Sequence, residues 1–144
     1  MRPAPCRLLA RTAALAAAVL LSSAGPTRAA DPTGDADRGA EVWMECSGCH
    51  LIGPDATDAI GPHLNGLFGR RAAAHEDYPY SDSLERMGAD GLIWSFETLD
   101  AYIENPLSLV SGTRMGYPGL PDAQARADLM AFLRRYSDSP QNIP

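Results

Sequence analysis

The sequence contains no lysine. Its twelve arginines face eighteen aspartates and glutamates, leaving a formal charge of −6 and an isoelectric point near 4.9. Nucleic-acid phosphates need cationic neutralisation, so this balance excludes a nucleic-acid partner. Three cysteines are too few for a disulfide framework. No apolar run approaches the roughly 20 residues that span a bilayer. No segment alternates at strand length, and no internal repeat is visible. With 144 residues there is room for one domain. A composition of 45% hydrophobic and 21% charged residues excludes a disordered or fibrous chain.

The first thirty residues read as a secretory signal. Arg2, Arg7 and Arg11 make a positive start, and Thr12 to Leu21 form an apolar stretch rich in Ala and Leu. Ser22, Ser23, Gly25 and Pro26 then break it ahead of the small residues around Ala29 and Ala30. This three-part order predicts cleavage after Ala29 or Ala30, export to the periplasm and no membrane anchor in the mature protein. Cys6 would leave with the signal. Residues 31–144 keep eight arginines and all eighteen acids, a formal charge of −10. They keep only two cysteines, Cys46 and Cys49.

The mature part predicts an all-α domain of few helices and long loops. Asp35 or Asp37 caps a first helix that runs through Arg38, Gly39, Ala40 and Trp43 to the cysteines. Glycines and prolines punctuate residues 51–69. A short helix is expected from Ser81 to Met87, stopped by Gly88 and Gly91. A better one follows Trp94, capped by Ser95, with Leu99, Tyr102 and Ile103 on one stripe. Asn105-Pro106 ends it, and residues 107–121 are expected to be loop. The last helix opens at Asp122 and reaches about Tyr136, with Leu129, Phe132, Leu133 and Tyr136 as its apolar face. A frayed polar tail is expected from about residue 137. A domain this short and this rich in Gly and Pro leaves room for something else at its centre.

Cys46-Ser47-Gly48-Cys49-His50 is the informative segment. It matches C-x-x-C-H, the attachment signature of c-type haem. At this spacing two thiols can add to the two vinyl groups of haem while the adjacent histidine reaches the iron from the same side. Two other readings compete. A thioredoxin-like pair wants a strand-helix context and has no use for His50. A zinc site wants four ligands, and no second cysteine pair exists. The export signal favours haem, which is attached after export.

The chain from residue 35 to 136 resembles a class I cytochrome c, the mitochondrial and photosynthetic-bacterial electron-carrier family. Gly39 and Trp43 resemble the small and aromatic pair of its first helix, and Leu129 and Phe132 the residues they meet on its last. Gly61-Pro62-His63-Leu64-Asn65-Gly66-Leu67-Phe68-Gly69-Arg70 resembles the family's loop beneath the proximal histidine, where the carbonyl of Pro62 would accept the ring N–H. Tyr78, Tyr80 and Trp94 fall where the family surrounds the buried propionates. Tyr102 to Pro106 and Gly112-Thr113-Arg114-Met115 resemble the helix and loop that deliver the distal methionine.

The resemblance implies a cytochrome c fold around one covalent haem c. Cys46 and Cys49 would be the attachment sites, and His50 and Met115 the axial ligands. Pro62, Arg70, Tyr80, Trp94, Tyr102 and Thr113 would be the haem environment. For Arg70 a solvated surface role competes with propionate binding, and for Tyr80, Trp94 and Tyr102 ordinary core packing does.

Residue chemistry supports Met115 separately. A thioether favours ferrous iron. Met44 lies too close to Cys46 in the chain, and Met87 and Met130 sit in helices, whereas Met115 sits in a distant Gly- and Pro-bounded loop. His63 is expected on the proximal side facing solvent, and His75 in an irregular acidic stretch. Neither is expected to ligate iron.

The expected function is periplasmic one-electron transfer between redox proteins, without catalysis. A cytochrome subunit dedicated to a dehydrogenase or oxidase is the alternative, and a haem enzyme or gas sensor a further one. The lysine ring of the family's mitochondrial members is absent. The partner is therefore expected to present a basic or largely apolar face.

Overall fold

The computed structural model describes residues 33–137, together with Met1. The expected signal peptide and the tail beyond Ser137 lie outside the described residues. Among the described residues five helices occur, in the order α1 (Ala36–Val42), α2 (Asp82–Ala89), α3 (Phe96–Glu104), α4 (Pro106–Leu109) and α5 (Ala123–Leu133). Short 3-10 turns extend α1 through Trp43–Glu45 and α5 through Arg134–Tyr136. Among the described residues the only β-pairing is an isolated bridge between Arg71 and Ile93, so the all-α expectation holds. No described helix is long and apolar enough to cross a membrane.

The helix starts are chemically explicit. Asp35 caps α1 by accepting from the backbone N–H groups of Asp37 and Arg38. Ser81 caps α2, and Asp122 caps α5 by accepting from Gln124 and Ala125. At α3 the cap is reciprocal: Ser95 accepts from the Thr98 N–H, and the Thr98 hydroxyl accepts from the Ser95 N–H.

Two boundaries differ from the sequence expectation. The helix expected to stop before Gly88 runs through it to Ala89. Gly88 is buried where a Cβ would collide with the carbonyl of Ala72, so this glycine permits close packing and does not break the helix. The loop expected from residue 107 begins with one more helical turn, α4. Asn105 caps it through the Ser108 N–H, and Pro106 sits at its start, where a missing N–H costs nothing.

The terminal helices α1 and α5 pack against each other and frame the core. Gly39 lies against the backbone of Asp128, where no Cβ would fit. Trp43 meets Phe132 with ring centroids 6.1 Å apart, and Leu129 is fully buried beside them. A two-pronged ion pair locks the contact: Arg38 donates from Nε to Asp128 Oδ2 at 2.7 Å and from Nη2 to Oδ1 at 2.8 Å. Arg126 does the same between α5 and α3, reaching Asp100 at 2.7 Å and the carbonyls of Leu120 and Pro121. These contacts hold α5 against α1 and α3 and leave the long loops to wrap the space between.

Candidate functional site

That space is a cavity of about 550 Å³. All ten residues singled out from the sequence line it: Cys46, Cys49, His50, Pro62, Arg70, Tyr80, Trp94, Tyr102, Thr113 and Met115. Apolar side chains of α3 and α5, among them Leu99, Ile103, Leu129 and Leu133, complete the wall.

The C-x-x-C-H segment occupies the turns that follow Trp43–Glu45. The N–H groups of Cys49 and His50 both donate to the Cys46 carbonyl, at 3.0 and 2.9 Å. This tight turn presents both sulfurs and the imidazole to the cavity. The cysteines form no disulfide. Burial pushes the Cys46 thiol up to about 11. A thioredoxin-like nucleophile needs the opposite shift.

His50 is oriented from behind. Its Nδ1 donates to the Pro62 carbonyl at 2.7 Å. Gly61 leaves room for the ring, since a Cβ there would overlap it. Burial lowers the pKa of His50, with the Pro62 hydrogen bond opposing, so the ring is neutral at physiological pH. A neutral imidazole whose Nδ1 holds the proton leaves the Nε2 lone pair facing the cavity as a possible metal ligand.

Met115 is delivered by the loop between α4 and α5. The Tyr102 and Thr113 hydroxyls share a hydrogen bond of 2.6 Å, and Thr113 Oγ1 accepts from the Met115 N–H at 3.2 Å. The stripe of α3 thus positions the loop that carries the thioether. Burial is the largest influence on the Tyr102 hydroxyl and raises its pKa, so it stays protonated.

Arg70 is no solvated surface arginine. It donates to the carbonyls of Asn65 at 2.9 Å and His63 at 3.2 Å and contacts His75 Nε2 at 2.8 Å. Trp94 is buried with its ring 5.1 Å from that of Tyr102. Tyr80 stacks edge-on against Tyr78, whose hydroxyl donates to the Ile60 carbonyl at 2.6 Å. His63, expected to face solvent, is half-buried. Its ring packs 4.2 Å from that of His75, and its Nδ1 is buried.

The donor set fits a haem: a long apolar cavity, two thiols and an oriented neutral imidazole on one wall, and a thioether loop lining the same space. No protein-family model matches the chain. The cytochrome c2 of Rhodomicrobium vannielii is 39% identical over 120 residues, covering 83% of this chain and 90% of that protein. The cytochrome c2 of Rhodoblastus acidophilus is 40% identical over 103 residues, 72% of this chain and 94% of the relative. The solved cytochrome c2 of Rhodospirillum centenum superposes with a TM-score of 0.69 at 33% identity, covering 72% of this chain and 99% of that one.

The chain belongs to the class I cytochromes c. Its cofactor is one covalently bound haem c, and its activity is electron carriage. Within this cytochrome c frame, sequence reasoning passed over two features. Glu45 and Tyr117 meet at the cavity mouth, where the Tyr117 hydroxyl donates to Glu45 at 2.7 Å. Asp58 joins His75 at 2.9 Å. Neither pair is close in sequence, and no spacing motif announces them.

Proposed function

We propose that the protein is an exported, freely shuttling cytochrome c that takes and gives one electron at a time. The observation that carries this is the convergence of His50 and Met115 on one cavity, with Cys46 and Cys49 beside His50. Cys46 and Cys49 would hold the haem through thioethers, and His50 and Met115 would hold its iron. When bound, the haem supplies the one-electron couple.

The protein's own contribution is to hold and insulate. Pro62 fixes the His50 ring, and Tyr102 and Thr113 fix the Met115 loop. Arg70, Tyr80 and Trp94 line the wall where the propionates would lie. With both axial positions filled from the chain, no open coordination site remains for a substrate or gas. This reading supports electron transfer without catalysis.

Residues 1–30 would act as the export signal and residues 31–144 as the working domain in the periplasm. Its partners would be redox proteins with a basic or largely apolar docking face. The cavity rim supports this choice. Ile60 lines it with 76% of its surface exposed, Glu45 is tied to Tyr117, and Arg114 is tied to the Pro79 carbonyl at 2.9 Å.

The test is an absorption spectrum of purified protein, oxidised and reduced, with and without carbon monoxide. The reading requires reversible reduction and an unchanged ferrous spectrum under carbon monoxide. A carbon monoxide adduct in the native protein would favour an enzyme or sensor instead.

A further inference from the structure

The chain has three histidines, and His50 is committed to the cavity. The other two lie in separate loops twelve positions apart, yet their rings pack with centroids 4.2 Å apart. Asp58, five residues before His63, joins them. Its Oδ1 accepts from the His63 backbone N–H at 2.8 Å and pairs with His75 Nδ1 at 2.9 Å. One ligand atom from each of the three residues lies within 4.8 Å of the others.

His63 Nδ1 is buried and has no hydrogen-bond partner. A buried polar atom left unpaired is costly, so a ligand there has a reason to bind. Burial, with His75 and Arg70 adding to it, lowers the pKa of His63. The unpartnered Nδ1 can offer its lone pair to a cation.

We propose that Asp58, His63 and His75 form a binding site for a zinc-class divalent cation. Two imidazole nitrogens and one carboxylate oxygen suit such an ion, with water as a fourth ligand. Tetrahedral bonds of about 2.0–2.2 Å place ligand atoms roughly 3.3–3.5 Å apart. The Asp58–His75 pair, at 2.9 Å, has to open slightly, and His63 has to close from a separation of at most 4.8 Å. His75 and Asp58 are partly open to solvent, which gives the ion a path in.

The proton balance is simple. In neutral His75 the Nδ1 proton faces Asp58 and Nε2 faces Arg70. Cation binding at Nδ1 moves that proton to Nε2, and no net proton leaves. Arg70 then gives up His75 and keeps its two carbonyl contacts.

The ion would staple the loop of Asp58 and His63 to the loop of His75. Arg70 borders both this cluster and the cavity, so the bound charge would lie near the redox centre. Positive charge there favours the reduced state, and by linkage reduction would tighten cation binding.

The test is calorimetric titration of oxidised holoprotein with zinc chloride at neutral pH, alongside zinc-edge X-ray absorption of the loaded sample. One saturable equivalent and imidazole scattering are expected. The double variant His63→Gln/His75→Gln should lose that equivalent, and Asp58→Asn should weaken it at least tenfold. The midpoint potential should rise with zinc in the wild type and stay fixed in the double variant. Absence of a one-to-one phase in the wild type would overturn the proposal, as would zinc lacking imidazole neighbours. Both measurements use the native chain, so neither depends on a variant folding.

Discussion

Tyr117 donates its hydroxyl to the Glu45 carboxylate at 2.7 Å, tying the loop of Met115 to the segment that precedes Cys46. Both residues line the cavity and their bond is exposed, so it ties two segments of the cavity wall at the surface. Burial, reinforced by Glu45, holds the tyrosine protonated well above the usual phenol range, so alkaline titration of Tyr117 does not release the tie. An exposed bond of this type is worth about 1 kcal/mol. Tyr117→Phe should therefore speed imidazole binding to the oxidised holoprotein roughly fivefold by making loop opening easier. Stopped-flow rates checked against the wild type decide it, and equal rates would show that the bond does not gate the mouth.

Met115→Ala should remove the thioether that favours ferrous iron. The midpoint potential should fall by at least one tenfold step in the redox equilibrium, ~59 mV for a single electron. Carbon monoxide should then bind the reduced variant. Potentiometry with an unchanged midpoint would assign the sixth position to another residue.

Much of this site was legible because its chemistry is local. Cys46, Cys49 and His50 are fixed by spacing, and Met115 stood out because Met44, Met87 and Met130 occupy or adjoin helices. The caps at Ser95 and Asp122 were equally readable, and Asp35 was one of two candidates, since each side chain acts on a backbone within three residues. Long-range packing was not. Gly88 reads as a helix breaker until the Ala72 carbonyl is seen against it. His63 reads as exposed until His75 closes over it. Pro106 ends α3 as expected, but it also starts α4, because proline suits a first helical position as well as it disrupts an interior one.

The Arg38–Asp128 pair makes stability depend on acid. Hydrogen bonds from Arg38 are the main cause holding the Asp128 carboxyl below its ordinary range, against the opposing effect of burial. A depressed carboxylate contributes stability above the unfolded aspartate pKa of about 3.9 and loses it as pH falls through the folded value. Asp128→Asn should cost about 2 kcal/mol at neutral pH, the range for a hydrogen-bonded charge. Urea unfolding of both proteins should show that gap shrinking below about pH 4. A gap that stays constant into acid would mean that the pair's charge contributes nothing.

Docking should reflect the charge balance. Residues 31–144 carry a formal −10 and no lysine, and Arg114 is engaged with Pro79. Complementary charge speeds encounter, and salt shortens its reach. Electron transfer with a cationic redox reagent should slow as salt rises, and with an anionic reagent it should quicken. The reverse pattern would show a locally positive docking edge and remove the case for a basic or apolar partner face.

The central claim is that Cys46 and Cys49 hold a haem covalently in this cavity. Mass spectrometry of the purified protein after denaturation and acid-acetone extraction tests it most directly. The account predicts a polypeptide heavier by one haem, with the added mass confined to the peptide that contains both cysteines. A bare polypeptide mass, with Cys46 and Cys49 recovered as free thiols, would contradict it.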